Sequence, residues 1–241
     1  MNLMRRSLAI SAAGLFLWGC DLAPVTESVS AQVSPASLAP PPETFDQASD
    51  CAPLRRYDGP TPGFTYIYRR QDGSLSSRRI IAADGARITF EYRDLSNPSQ
   101  IALPNRLALA GVFVTYDAAS SPRKVRYRTD PVASLETLEV GQSVTIPTTE
   151  TSTIKGKTRT IAYPTITTYR MCGVLVTQGQ SMPVRVYDVT TSRRVVAPSG
   201  DDSVRSSRVT YYLSDETGFP LAYQDAATTT LERIERPGTA M

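Results

Sequence analysis

The chain has no histidine among its 241 residues, three cysteines, and only three lysines beside its many arginines. The first absence removes Ser-His-Asp and Cys-His nucleophiles, His-ligated zinc or haem, and any histidine pH switch. Three thiols are too few for a four-thiolate metal site. No Gly-x-Ser-x-Gly elbow and no Gly-x-x-x-x-Gly-Lys phosphate loop occurs. Ser-x-x-Lys occurs at Ser121/Lys124 and Ser152/Lys155, but Pro122 follows the first serine and the second pair leads into a turn. The adjacent acidic pairs Asp201-Asp202 and Asp215-Glu216 lie in turn-like surroundings without calcium-loop spacing. No catalytic residue, metal site or cofactor is therefore expected. A cell-wall enzyme working through two carboxylates is the remaining catalytic alternative.

What is present starts with an address. Arg5 and Arg6 precede a mostly apolar run from Ser7 to Trp18. That run is too short for a bilayer core, which needs about 20 residues, but fits the apolar region of a signal peptide. It ends at Leu17-Trp18-Gly19-Cys20, which resembles the bacterial lipobox, with Trp18 bulkier than the pattern usually has. The resemblance implies cleavage after residue 19, lipidation of Cys20, and a cell-envelope protein of a Gram-negative bacterium facing the periplasm. An ordinary secretory signal cut elsewhere is the alternative. Asp21 directly after the cysteine favours the inner over the outer membrane by the enterobacterial sorting rule. Arg5-Arg6 leaves export by the general or the twin-arginine route open.

Residues 20–60 are rich in Ala, Pro, Ser and Thr, including Pro40-Pro41-Pro42, and read as a lipid-anchored flexible linker. As a coil of about 40 residues it would typically span on the order of 35 Å. The stretch 21–50 carries five acidic groups and no basic one, whereas 51–241 carries 24 basic against 18 acidic. A basic domain is steered toward anionic lipid headgroups or an acidic polymer. The arginines are spread along strands (Arg87/Arg93, Arg126/Arg128, Arg205/Arg208), as on ordinary solvated faces, and no nucleic-acid partner is expected.

From residue 61 onward the periodicity is two. Phe64, Tyr66 and Tyr68 alternate with Thr65, Ile67 and Arg69, Asp72-Gly73 and Asp84-Gly85 mark hairpins, and Ala86, Ile88, Phe90 and Tyr92 share one face. Ser96–Arg106 reads as a loop, Leu107–Tyr116 as one strand, and Val132–Val140 as the one short helix, ended by Gly141. Further strands are expected at Lys124–Arg128, Ser143–Pro147, Thr153–Tyr163 (with a Lys155-Gly156-Lys157 turn), Thr165–Thr177, Met182–Thr190, Val204–Leu213, Phe219–Tyr223 and Thr228–Ile234. Residues 61–241 thus read as a single, mainly β domain: an antiparallel curved sheet, half-open β-barrel or sandwich. The C-terminal half, with Gly141, Gly173, Gly179, Tyr211, Tyr212, Leu213, Gly218, Pro220 and Leu221, resembles uncharacterised proteobacterial periplasmic lipoproteins. Those have half-open barrels broadly similar to the Lol lipoprotein carriers. The resemblance implies a turn at Gly218-Phe219-Pro220, Tyr211 and Leu213 packing inward, and a concave face able to hold a lipid.

With Cys20 lipidated, Cys51 and Cys172 form an even pair in an oxidising compartment and suit a disulfide, two free thiols being the alternative. Two functions remain in view. One is a non-enzymatic envelope lipoprotein that binds or scaffolds a lipid or envelope component. The other is a protein-interaction subunit of an envelope complex. An empty concave face lined by Ile, Val and Phe would favour the first; a filled core with an Arg/Tyr surface would favour a protein or glycan partner.

Overall fold

The computed structural model describes residues 42, 44–51, 59–97, 103–115, 123–154, 156–177, 179–196, 202–214 and 216–238. The signal peptide, Cys20, Asp21 and Pro40-Pro41 lie outside them. In chain order come β1 (Phe45–Gln47), β2 (Thr65–Arg70), β3 (Leu75–Asp84), β4 (Arg87–Asp94), β5 (Leu103–Leu109), β6 (Phe113–Val114) and β7 (Arg123–Tyr127). The helix α1 (Pro131–Thr137) precedes β8 (Ser143–Ile154), β9 (Lys157–Thr177), β10 (Gln180–Val196), β11 (Asp202–Ser214), β12 (Phe219–Gln224) and β13 (Thr228–Glu235).

Twelve strands form one antiparallel sheet in the order β6-β5-β4-β3-β2-β13-β12-β11-β10-β9-β8-β7, with β1 added on the free edge of β9. Every connection along this path is between sequence neighbours except β2–β13, which joins the first meander to the last strand. The sheet is open. Among the described residues its two edges meet where the Val125 amide on β7 donates to the carbonyl of Thr115, just past β6, at 3.0 Å. Phe113 and Tyr127 pack edge-to-face across that junction at 5.5 Å.

Both Asp-Gly hairpins form. The Asp72 carboxylate accepts the Ser74 amide at 2.9 Å, the Asx geometry that makes Asp a turn former. On β4, Ile88 and Phe90 are buried while Arg87 and Arg93 are exposed, as period-two patterning requires.

Several boundaries differ from the sequence reading. The stretch read as linker contains β1, whose Phe45, Asp46 and Gln47 pair with Leu175, Val174 and Gly173. Leu107–Tyr116 is not one strand but the end of β5, a tight turn and β6. Ala110 and Gly111 both take positive φ (51° and 65°), the backbone of a primed hairpin turn. The expected loop at 96–106 gives way to β5 from Leu103, which pairs with Tyr92. β8 runs without a break from Ser143 to Ile154, so the expected strand Ser143–Pro147 continues through 148–152 into residues 153–154, and the rest of the expected Thr153–Tyr163 strand, beyond the turn at Gly156, belongs to β9. Likewise Pro164 does not interrupt β9, because it faces Pro147 in register. Opposed in a pair that exchanges no backbone hydrogen bonds, two prolines remove nothing from the ladder.

The helix stops at Thr137, since Leu138 is already extended (ψ 134°). Asp130 caps its start by accepting the Val132 amide at 2.9 Å, and Pro131 occupies the first turn, where its missing N–H costs nothing. Val132 and Leu135 are buried in the same cluster as Tyr66, Ile88, Phe90 and Leu221, so α1 plugs the inner face of the sheet. The Tyr187 hydroxyl donates to the Leu135 carbonyl (3.2 Å) and fixes the plug to β10.

Candidate functional site

The inner face is the first place to look for a lipid, and it is full. Tyr66 and Phe90 pack on Phe219 with ring centroids 5.0 and 6.0 Å apart, and Tyr169 stacks on Tyr187 at 4.9 Å. Leu213 is fully buried there and Tyr211 half-buried, while Gly218 forms the turn and Phe219 and Pro220 already belong to β12. Interior packing of this kind resembles a solid core, not a ligand chamber. Among these rings lies Arg78 of β3, whose guanidinium carbon stands 4.7 Å from the Tyr223 ring centre, 4.9 Å from Tyr68, and 5.8 Å from both Phe90 and Phe219. No carboxylate among the described residues pairs with it, and its buried Nε–H has no hydrogen-bond acceptor. Burial works to lower its pKa, but the oxygens of Tyr223, Tyr68 and Tyr211 outweigh that and hold it above the ordinary guanidinium value. The charge is met by π faces, each attraction worth about 1–2 kcal/mol when desolvated.

Besides a smaller hollow of about 230 Å³ beside Cys172, two larger ones open on the surface. One, about 500 Å³, lies between the segment after β1, the loop after α1, and β9, with Cys51, Leu138, Val140 and Met171 among its walls. The other, about 430 Å³, is a charged furrow across β13, β2, β3 and β4, floored by Ile67 and flanked by Arg79, Glu91 and Glu235.

Cys51 and Cys172 are joined by a disulfide, with Cα atoms 5.6 Å apart. It clamps the chain just after β1 to β9. Gly173 makes the approach possible: a Cβ there would collide with the Asp46 carbonyl oxygen and the Phe45 ring. Phe45 thereby reaches Tyr212, edge-to-face at 5.2 Å.

Two buried carboxylates stand out that the sequence reading did not single out. Glu150 on β8 is held by Arg123 of β7 (Nε–Oε1 2.5 Å) and Arg193 of β10 (Nη1–Oε2 3.0 Å), and accepts the Tyr163 hydroxyl at 3.2 Å. Arg193 also lies over the Tyr163 ring, 4.8 Å from its centre. Burial raises the Tyr163 pKa, aided by Glu150 and opposed by Arg193. Asp188 on β10 binds Arg208 of β11, Arg170 of β9 at 3.3 Å, and the Thr210 hydroxyl at 2.5 Å. Opposite them on β9 lie Ile161 and Thr168, seven residues apart, or roughly 23 Å along a strand. Each is committed to two arginines and they do not converge, so they do not form a general acid/base pair.

Of the acidic pairs noted in the sequence, Asp201 and Asp215 lie outside the described residues, and Glu216 is exposed beside the Ser214 hydroxyl. Ser121 and Lys155 lie outside them too. Among the described residues no group of three or more Cys, Asp or Glu could hold a metal ion, and no helix is long and apolar enough to cross a membrane.

The sequence offered one hint of Arg78: it shares strand parity with buried Ile80 between two tyrosine-bearing strands. Glu150 had no signal, sitting in a threonine-rich strand whose neighbours across the sheet are set by long-range pairing.

No protein-family model and no curated protein matches the chain. Among the solved structures similar to it are two described as lipoproteins. One is the "hypothetical lipoprotein YmcC" of Escherichia coli K12, at 10% identity and TM-score 0.42, covering 77% of this chain and 91% of that one. The other is a "putative lipoprotein" of Parabacteroides distasonis ATCC 8503, at 12% identity and TM-score 0.44, covering 77% of this chain and 100% of that one. At such scores neither likeness bears on what this chain does.

Proposed function

We propose that this protein is a lipid-anchored lipoprotein of a Gram-negative envelope whose periplasm-facing β domain is a non-enzymatic interaction module, and not a lipid carrier. The anchor rests on Leu17-Trp18-Gly19-Cys20, and Asp21 favours the inner membrane. The observation that carries the choice of module is the inner face, filled by the rings around Phe219, by Arg78 and by α1. An acyl chain would have to displace fully buried Tyr68, Tyr187 and Leu135. At about 25 cal/mol per Å2 of apolar surface, re-exposing such side chains costs several kcal/mol before any gain from the lipid. The recognition surface is therefore outside the sheet and at its edges.

The test is intact-mass analysis of the full chain expressed in a Gram-negative host, alongside Cys20→Ala, with lipid extraction of the purified domain. The expected result is a diacylated or triacylated N-terminal cysteine, solubilisation by Cys20→Ala, and a domain empty of lipid. An unmodified Cys20 would overturn the anchor. A stoichiometric co-purifying lipid that survives Cys20→Ala would overturn the module and restore the carrier.

A further inference from the structure

The charged furrow is laid out by strand register. Arg233 of β13 lies opposite Ile67 of β2, Ile67 opposite Ser77 of β3, and Ser77 opposite Arg93 of β4. One pleat further on, Glu235, Thr65, Arg79 and Glu91 make a second row in the same strand order. These residues alternate with Tyr66, Tyr68, Arg78 and Phe90, so the furrow lies on the outer face, away from the packed rings. Neighbouring strands are about 4.8 Å apart, and successive residues on one face of a strand about 6.7 Å.

Two ion pairs wall the furrow. Glu91 holds Arg93 on one side (Nε–Oε1 2.6 Å) and Glu235 holds Arg233 on the other (Nε–Oε1 2.9 Å). Arg79 stands exposed between them, and its side chain makes no ion pair or hydrogen bond with any described residue. The furrow therefore carries one uncompensated positive charge. Ser77, next to Arg79 on the same face of β3, is only 5% exposed, and its hydroxyl makes no hydrogen bond with any described residue. A hydroxyl this deep without a partner forgoes the hydrogen bond it would have in water, and a ligand atom in the furrow would restore it. A carboxylate over Ser77 would accept from that hydroxyl and from two parallel N–H groups of the Arg79 guanidinium, the fork geometry that suits arginine to carboxylates.

We infer that this furrow binds the free C-terminal carboxylate of a short peptide. This rests on the reading of the domain as an interaction module and names its ligand. One uncompensated charge calls for one anionic group, because the other two arginines of the furrow are already held by Glu91 and Glu235. No aromatic ring is among the lining residues to stack a sugar, and Ile67 and Leu95 are too little apolar surface for an acyl chain. A small aliphatic side chain suits them, resting against Leu95, which is 40% exposed at the end of the furrow beyond Arg93. From Ser77 to Arg233 is two strand spacings, roughly 10 Å, which three extended residues cover. Their N–H and C=O groups meet the Glu235 carboxylate and the Arg233 guanidinium. The volume, about 430 Å³, is within the range of about 300–1,000 Å³ usual for small-ligand sites.

The experiment measures fluorescence anisotropy of N-terminally labelled Gly-Ala-Ala-Val with a free carboxylate, titrated with the lipidated full chain in detergent. The same peptide as its C-terminal amide and a labelled digalacturonate, an acidic sugar, are titrated beside it. The variants are Arg79→Gln and Ser77→Ala, with Arg205→Gln as a control that removes an exposed arginine elsewhere. Arg79 is exposed and its side chain holds no described residue, so the melting temperature of Arg79→Gln should match the parent. Expected is saturable binding of the free acid, weakened tenfold or more by amidation and by Arg79→Gln, threefold or more by Ser77→Ala, and less than twofold by the control. No saturable binding of the acid, equal binding of the amide, unchanged affinity in Arg79→Gln, or tighter Arg79-dependent binding of the digalacturonate would overturn the inference. A lipid-filled domain in the preceding test would overturn the interaction module itself, whereas a lipid-free domain that ignores the peptide would overturn the furrow's ligand alone.

Discussion

Removing the Cys51–Cys172 bridge tests how the N-terminal end of the sheet is held. The cysteines are 121 residues apart, so the bridge closes a loop of about that length in the unfolded chain. Chain-entropy arithmetic gives a stabilisation of roughly 5 kcal/mol for such a loop. For a domain of this size each kcal/mol shifts the melting temperature by about 2–4 °C, so Cys51→Ser with Cys172→Ser should lower it by roughly 10–20 °C. Differential scanning calorimetry of the double variant against the oxidised parent makes the measurement.

A second readout separates a global from a local effect. β1 is only three residues long, and its hold on β9 includes the Ala48 amide to the Cys172 carbonyl at 3.0 Å and the Val176 amide to the Thr44 carbonyl at 3.1 Å. Without the bridge these amides should exchange much faster than that of Tyr187 in the core. A fall in melting temperature below about 3 °C would refute the reasoning, because it would mean that the long loop is already restrained in the unfolded ensemble.

Two further outcomes follow from the core. Arg78→Met keeps the stem between Tyr68 and Tyr223 and deletes a charge among the rings that no carboxylate among the described residues balances. It should cost less than about 1 kcal/mol or stabilise, whereas Arg78→Ala leaves a gap between the rings and should cost about 2–3 kcal/mol. Urea unfolding decides, and equal losses would show that the charge holds the rings. Burial pushes Tyr66 and Tyr212 up from 10.0 to about 12. Their pKa is higher folded than unfolded, so their contribution is fully present below pH 10 and is lost as pH rises from 10 to 12. Titration at 295 nm with circular dichroism should show a fraction of the 12 tyrosines ionising late, together with unfolding. Ionisation of all of them near pH 10 with the fold intact would contradict the burial argument.

Local patterning made most of the sheet legible. On β4 the alternation of Ile88 and Phe90 with Arg87 and Thr89 is a property of the strand itself, and Asp72-Gly73 carries its own turn chemistry. What stayed hidden depends on partners distant in sequence. β1 has an unremarkable composition; it is ordered by Gly173, which leaves room for Phe45, and by a bridge to Cys172. Pro147 and Pro164 look like strand ends until they are seen facing one another. The turn at Ala110-Gly111 lacks the Asn or Asp that usually marks such a hairpin, and it merged with the apolar residues on either side. The filling of the inner face was legible only in part, since Leu213 was expected inside but α1 and Arg78 as its plug were not.

Pairing between β9 and β10 ends at Thr165↔Thr191 while β8–β9 and β10–β11 continue, so the sheet divides there into a first ribbon containing β8 and β9 and a second containing β10 and β11, and the two buried carboxylates tie its strands together. Glu150 is braced by Arg123 from β7 and Arg193 from β10, strands with no backbone pairing to each other. Arg193 crosses from the second ribbon to the first, which sets the separation of the ribbons where backbone pairing between β9 and β10 has already stopped. Asp188 lies opposite Thr168, where β9 and β10 are still paired, and ties Arg170 of β9 to Arg208 and Thr210 of β11. Each carboxylate is thereby committed to two arginines from different strands. The same ion pairs that occupy Glu150 and Asp188 thus hold β8 to β7 and β10, and β10 to β9 and β11.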